Sequence, residues 1–361
     1  MTNLKISIEP RELHFLQPAG TSRGVYTTRM IWLLYATSDD YPGKVGVGEC
    51  APLPDLSCDW TEGYADRLRA LCDIVEMKGD LDAAILRPYP SVLFALETAL
   101  MRLRQGDILF DTPFARGEAG IPINGLVWMG SFDEMNRRME EKLKAGFTCI
   151  KLKIGAIDFE SELALVKSIR RRFSADTVEL RVDANGGFSE EEAPRRLEQL
   201  SHFAIHSIEQ PIRQRNWRAM ARLCAETPLP IALDEELIGV NLPGMKRELM
   251  ETIRPQYIVL KPSLHGGICG TQEWIRLAGE YGAGCWITSA LEGSVGLDAV
   301  AQLAANEFMP DENAALSCMP QGLGTGTLYA DNLPPHTEVR GNRIYRIAGL
   351  PANKLKEHYA R

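Results

Sequence analysis

The stretch ELRVDANGGFSEEEAPRRLEQLSHFAIHSIEQPI, residues 179–212, decides the fold. It opens on a short branched-apolar run (ELRVDANG, 179–186), passes through a helix-like segment with a polar face (SEEEAPRRLEQL) and returns to a second branched run (IHSIEQPI, 205–212). Strand, helix and strand in this succession predict a parallel pair joined by a crossover helix. Working outward, the same beat continues on both sides. Strand-like runs stand at IPINGLVW (121–128), CIKLKIG (149–155), PIALDEEL (230–237), YIVLKPSL (257–264), CWITSAL (285–291) and AALSCMP (314–320). Helix-like stretches such as FDEMNRRMEEKLKAG, FESELALVKSIRRRF and GTQEWIRLAGEYG fall between them. Eight such beats in roughly 200 residues predict an α/β fold of the (β/α)8, TIM-like barrel type. An open doubly wound sheet is the competitor, weakened because no G-x-G-x-x-G follows a strand. GLGTGT (322–327) comes after the last beat and reads as a turn.

Residues 1–118 do not keep this beat. LKISIEPREL, TRMIWLLYAT and KVGVGEC read as strands of a meander, with DYPG as the turn before the third, and 60–78 and 91–105 read as helices. The expected organisation is an α+β capping domain over 1–118 and a barrel over 119–327. A tail, 328–361, containing TEVRGNRIYRI, is expected to pack back on the first domain.

Composition bounds the function. Of 361 residues 45% are hydrophobic and 24% charged, an ordinary globular balance that excludes disordered and fibrous classes. Lys and Arg number 40 against 48 Asp and Glu, giving a net charge of -8 and no basic field for nucleic acid. There is no run of 18 apolar residues, and the opening MTNLKISIEPRELHF is broken by Lys5, Glu9 and Arg11, so no membrane association and a cytoplasmic location are expected. The eight cysteines show no C-x-x-C and read as reduced core residues; the six histidines form no H-x-H or H-E-x-x-H pair for zinc.

The chemistry lies in ionisable residues set into apolar strands. Asp183 (LRVDAN), Glu209 (SIEQP) and Asp234 (ALDEE) each stand near a strand's C-terminal end, 26 and 25 residues apart, one βα period each. In a barrel they fall on three neighbouring strands at one rim, the functional rim of that fold. Gathered carboxylates repel unless a cation neutralises them, and an all-oxygen set suits a hard ion such as Mg²⁺. Lys151 and Lys153 share one face of their strand, and Lys261 ends IVLKP, 27 residues beyond Asp234. Ammonium groups on one face depress one another's pKa, which would prepare a lysine to act as a base. Taken singly, each residue is a rim charge or an ion-pair partner; the joint pattern is what points to a site where a cation holds a carboxylate and an amine removes the adjacent proton.

The set KLK (151–153), VDAN (182–185), IEQP (208–211), ALDEE (232–236) and VLKP (259–262) resembles the enolase superfamily, in its muconate-lactonizing-enzyme subgroup, and the likeness spans nearly the whole chain. The resemblance implies Asp183, Glu209 and Asp234 as ligands of Mg²⁺, for which Mn²⁺ can substitute. It implies Lys153 and Lys261 as the acid/base pair on opposite faces of a small-molecule carboxylate substrate, with Lys151 as an electrostatic helper. Asn185 and Glu235 stand beside the ligand positions and read as supporting them. A loop of the capping domain around Pro18–Thr27 would help define the substrate.

Within the subgroup the same lysines serve cycloisomerases, racemases, epimerases and o-succinylbenzoate synthases. An Asp-x-Asp after the last barrel strand marks dipeptide epimerases; here LSCMPQGLGTG has no acidic residue. TSALEGSVGL (288–297), KPSLHGG (261–267) and GLGTGTLYADNL (322–333) look most like the synthases. That likeness implies a lyase of menaquinone biosynthesis, a hydro-lyase that eliminates water from 2-succinyl-6-hydroxy-2,4-cyclohexadiene-1-carboxylate. Ser289 would contact a substrate carboxylate or else cap the barrel end. His265 reads as a loop residue, and Glu292 either as a neighbour of the ligand set or as a surface charge. The alternatives are an N-acylamino acid racemase or other epimerase and, outside enzymes, a catalytically silent metal-binding barrel.

Overall fold

A computed structural model describes residues 1–21, 24–128, 131–155, 158–311 and 318–347. The N-terminal part is an antiparallel sheet of β1 (Lys5–Thr21), β2 (Gly24–Thr37) and β3 (Gly46–Cys50), in that order, backed by helices α1 (Tyr64–Lys78), α2 (Ala83–Leu86) and α3 (Pro90–Gln105). Apolar residues on one face of the sheet, among them Ile6, Trp32 and Leu34, meet Leu68, Leu96 and Leu100 of the helices. Gly46 and Gly48 let β3 lie directly on α3: a Cβ at either would collide with the carbonyl oxygen of Ala99 or Ala95. Ser22 and Arg23, within the expected substrate loop Pro18–Thr27, lie outside the described residues.

After β4 (Ile121–Pro122) the alternating part begins. Seven parallel strands follow: β5 (Gly125–Val127), β6 (Cys149–Lys153), β7 (Glu179–Asp183), β8 (Ser207–Glu209), β9 (Ile231–Leu233), β10 (Tyr257–Leu260) and β11 (Gly284–Ile287). They hydrogen-bond in sequence order, each joined to the next by a crossover connection. The crossover helices are α4 (Phe132–Lys144), α5 (Phe159–Arg172), α6 (Ala193–Ser201), α7 (Trp217–Glu226) and α8 (Pro243–Ile253). Beyond β10 come the short α9 (Pro262–His265) and α10 (Gly267–Glu280), and beyond β11 comes α11 (Ser294–Phe308). The curled sheet closes through Gln321 and Gly322, which bridge in parallel to Ile123 and Thr288. This is the expected α/β barrel with an α+β cap.

Two strand expectations are corrected at this seam. The run 121–128 is split: Ile121–Pro122 pairs antiparallel with β13 (Arg343–Arg346), while Ile123 bridges to Gln321 and Gly125–Val127 pairs with β6 in the barrel. The eighth position is held by Gln321–Gly322 and not by 314–320; of that run, 314–317 lie outside the described residues and 318–320 are not strand. The two residues that close the ring, Gln321 and Gly322, carry none of the branched character that marks the other strands.

Alternation explains the strand sequences. Ile150, Leu152, Leu180, Val182, Ile208, Leu233, Ile258 and Leu260 join the apolar layer beneath the helices. Their neighbours Lys151, Lys153, Arg181, Asp183 and Glu209 therefore point into the barrel. The hairpin of β12 (Thr337–Arg340) and β13 (Arg343–Arg346) pairs with β4, while Ala330 and Leu328 hydrogen-bond to His14 and Leu16 of β1. Residues 348–361 of the expected tail lie outside the described residues. All eight cysteines are free, but Cys58 is exposed, against the expectation of uniformly buried thiols.

Candidate active site

Strand register delivers the site. Lys153 pairs with Asp183 across β6 and β7, and Asp183 with Glu209 across β7 and β8. Asp234 and Lys261 each follow the last residue of their strand, β9 and β10. The three carboxylates are buried, and lysine ammonium groups stand against them. Lys151 Nζ lies 2.6 Å from Glu209 Oε2 and 2.9 Å from Asp183 Oδ2. Lys153 Nζ donates to Asp183 Oδ2 at 2.6 Å and to Asn185 Oδ1 at 2.7 Å, and Lys261 donates to Asp234 Oδ2. Asn185 in turn donates to Glu235 at 2.9 Å, so the two supporting residues form one link between the Lys153 and Lys261 sides.

Charge balance follows from these pairs. Burial works against ionised Asp183, but Lys151 and Lys153 outweigh it and hold its carboxyl below the usual range; Lys261 does the same for Asp234. Glu209 is driven the other way, well up, by burial and by the charge of Asp183. Burial and the charge of Asp234 push Glu235 up to about 7. The expectation that lysines on one face depress each other is corrected for Lys151, and Lys261 is raised as well. Burial lowers each, yet the facing carboxylates, Asp183 and Glu209 for the first and Asp234 and Glu235 for the second, prevail and raise both. At Lys151 the neighbouring amine matters less than the two carboxylates closing around it.

His265 is also reassigned. It ends the four-residue helix α9, is fully buried, and accepts the Lys261 backbone N–H on Nδ1 at 3.0 Å. Burial pulls its pKa down to about 3, so it is a neutral prop beneath Lys261, with Nε2 4.0 Å from Asp234 Oδ1. Glu292 is fully buried, which removes the surface-charge reading.

The donor set fits a hard cation. Glu209 Oε1 and Asp234 Oδ1 are buried without a hydrogen-bond partner, each the second oxygen of a carboxylate whose first oxygen meets a lysine. Orphaned buried oxygens are costly and call for a positive partner. Among the described residues no preformed cage of three acidic, His or Cys groups is present, because ammonium groups stand between the carboxylates.

Above this arc lies a cavity whose charged lining consists of Lys151, Lys153, Lys261 and Glu235. Its walls include Leu126, Trp128, Trp286 and Ser289 from the barrel and Tyr26 and Leu53 from the cap. Ser289 is engaged with Thr325 through a hydroxyl contact of 2.6 Å. Sequence reasoning missed Trp286, although strand alternation with Thr288 signals its inward position; Asn124 and Thr325 carry no such signal.

Residues 134–336 match the family model for enolase C-terminal domain-like proteins. The chain is 45% identical to an o-succinylbenzoate synthase of Desulfotalea psychrophila, an alignment covering 95% of this chain and 99% of that protein. The crystal structure of MenC from Desulfotalea psychrophila superposes with a TM-score of 0.80 at 41% identity, covering 95% of this chain and 100% of that one. An L-Ala-D/L-Glu epimerase of Bacillus subtilis is 30% identical over 79% of this chain and 80% of its own. A barrel with lysines and carboxylates on successive strands, and kinship running through cap and barrel alike, make this chain a member of the enolase superfamily.

Proposed function

We propose that the protein is an o-succinylbenzoate synthase, a hydro-lyase converting 2-succinyl-6-hydroxy-2,4-cyclohexadiene-1-carboxylate to 2-succinylbenzoate and water in menaquinone biosynthesis. The observation that carries this reading is identity of 45% across nearly the whole chain to a protein of that activity, with the three lysines at the cavity. Asp183, Glu209 and Asp234 would hold Mg²⁺. Bound there, the cation would supply positive charge to a substrate carboxylate and acidify the proton beside it.

The chain's own residues do the rest. Lys153, on β6, takes the proton from the carbon next to the ring carboxylate; its hydrogen bonds to Asp183 and Asn185 fix where the Nζ stands. Lys261, on the far side of the carboxylate arc, stays an ammonium and stabilises the negative charge that develops. Lys153 then returns the proton to the departing hydroxyl, water leaves, and the ring becomes aromatic. Lys151 balances Asp183 and Glu209. An apolar wall with lysines at one end suits a ring bearing carboxylates. A dipeptide ammonium would find only Glu235 among the charged lining groups, already bonded to Asn185, which disfavours the epimerase reading. Eight free thiols suit a reducing compartment, and we place the enzyme in the cytoplasm.

The test is a paired assay with Mg²⁺: loss of the diene absorbance beside racemisation of an N-succinylamino acid. Dehydration that falls about 10²–10⁴-fold in Lys153→Ala and vanishes with chelator is expected. Robust racemisation without dehydration would overturn the substrate and keep the site.

A further inference from the structure

The cavity wall Ser289–Ala290–Leu291 is held from several directions at once. Arg29, from β2 of the cap, donates to the Ala290 carbonyl at 2.5 Å, and Tyr329 donates to the Leu291 carbonyl at 2.6 Å. Leu291 sits at φ +62°, a left-handed conformation that a branched side chain adopts only when its surroundings impose it. A further fixture, beside the Ser289 hydroxyl contact with Thr325, is Glu292. Its Oε2 accepts the Ala290 N–H at 2.7 Å and its Oε1 accepts the Ser263 hydroxyl at 2.6 Å. Ser263 lies two residues past Lys261, in α9. One fully buried carboxylate thus joins the turn that carries Lys261 to the wall that faces it, and Glu292 itself does not line the cavity.

We propose that Glu292 is a positioning residue that sets the register between Lys261 and the wall 289–291, and thereby the fit of the substrate between them. This rests on the synthase reading above. Loss of the carboxylate leaves the Ala290 N–H and the Ser263 hydroxyl without their partner in a dry place and removes a support from the strained Leu291. Wall and ammonium then drift relative to one another. Displacements of about 1 Å in such contacts cost on the order of 10²-fold in rate. The bonds at stake call for an acceptor toward Ala290 and any polar partner toward Ser263. Glutamine meets both demands, its amide oxygen accepting from Ala290 and its amide NH2 donating to the Ser263 oxygen.

The experiment compares Glu292→Gln, Glu292→Ala, Ser263→Ala and the Glu292→Ala/Ser263→Ala pair in the full-length protein. Readouts are kcat and KM for dehydration and hydrogen exchange across 286–294. Glu292→Gln should stay within about 3-fold of the parent. Glu292→Ala should lose about 10–100-fold in kcat/KM through both constants, with faster exchange at 289–291. Ser263→Ala should show a smaller loss of the same kind, and the pair should be no worse than Glu292→Ala alone, as for two residues acting as one unit. A Glu292→Gln variant as impaired as Glu292→Ala would overturn the proposal in favour of a role for the charge or proton. Parent-like kinetics and exchange in Glu292→Ala would overturn it outright. Should Glu292→Ala fail to fold, Glu292→Gln and Ser263→Ala carry the decision. A parent without dehydration defeats the synthase reading, while the exchange data still judge whether Glu292 holds the wall.

Discussion

Lys151 is bonded to two carboxylates at once, Asp183 and Glu209, and is the inner of the two lysines on β6. Replacing it with methionine strands two buried acids, a loss expected to cost about 3–5 kcal/mol. A cation at the same carboxylates would recover part of that loss, because a ligand bound only by the folded state stabilises it. Melting of Lys151→Met with chelator and with millimolar Mg²⁺ should therefore show a larger metal-dependent gain than the parent. Equal melting in both conditions would speak against a cation there. At this scale the sequence was informative where strand period and βα period combine: Asp183, Glu209, Asp234 and the three lysines are all placed by counting. The direction of the lysine shifts was not legible, since it depends on how many carboxylates surround each ammonium. Glu292 and His265 were opaque for a related reason. Their meaning lies in contacts between the loops after β10 and β11, and a one-dimensional pattern holds no such information.

Helices α10 and α11 are among the barrel helices that start without a side-chain cap of their own. The residues preceding α10 and α11 are Gly266 and Gly293, neither able to satisfy the free N–H groups of the first turn. The cap supplies the missing acceptors. Glu97 of α3 accepts from Ile268 at 2.5 Å and Cys269 at 3.0 Å, and Glu49 of β3 accepts from Gly293 at 2.5 Å and Gly296 at 2.8 Å. Burial pushes both carboxyls up to about 7. Glu97 ordinarily titrates near 4.5, so the folded protein holds its proton more tightly than the unfolded chain does. The stability it contributes is complete below about pH 4.5 and is lost as the pH rises through 7. Glu97→Gln stays neutral throughout, so its stability relative to the parent should improve from pH 5 to pH 8, by up to about 3 kcal/mol. Urea midpoints at the two pH values measure this; a pH-independent difference would mean an ordinary titration. Helix α10 was legible from the spacing of GTQEWIRLAGEYG, whereas caps donated from another part of the chain leave only a pair of glycines as a trace. The eighth barrel position was lost the same way, because closure of the ring, and no branched run, selects Gln321 and Gly322.

At the scale of the molecule, three segments meet on one aspartate. Asp298 of α11 receives Arg102 of α3 at 2.8 Å and Arg346 of β13 at 2.9 Å, all three buried. Burial disfavours the Asp298 charge, but the two guanidinium groups prevail and lower its pKa. Asp298→Asn would leave two buried cations facing a neutral amide, an expected loss of about 3–5 kcal/mol. Thermal unfolding followed by circular dichroism would register it, and a change under 1 kcal/mol would show the arginines to be satisfied by their backbone partners alone. Cap and barrel were visible in the sequence as a change of pattern. Their junction was not, because Arg102, Asp298 and Arg346 look like ordinary charges on amphipathic segments.

The close contact of β3 with α3 bears on how such a chain can evolve. Helix α3 reaches the barrel with Glu97 and Arg102, and the height at which it lies is set by the absence of side chains at Gly46 and Gly48. Those two positions are thus constrained as tightly as the lysines, with no chemistry of their own. Change at the cavity wall leaves this spacing untouched, whereas a side chain added at Gly46 or Gly48 would shift α3 and with it the contacts of Glu97 and Arg102 to the barrel.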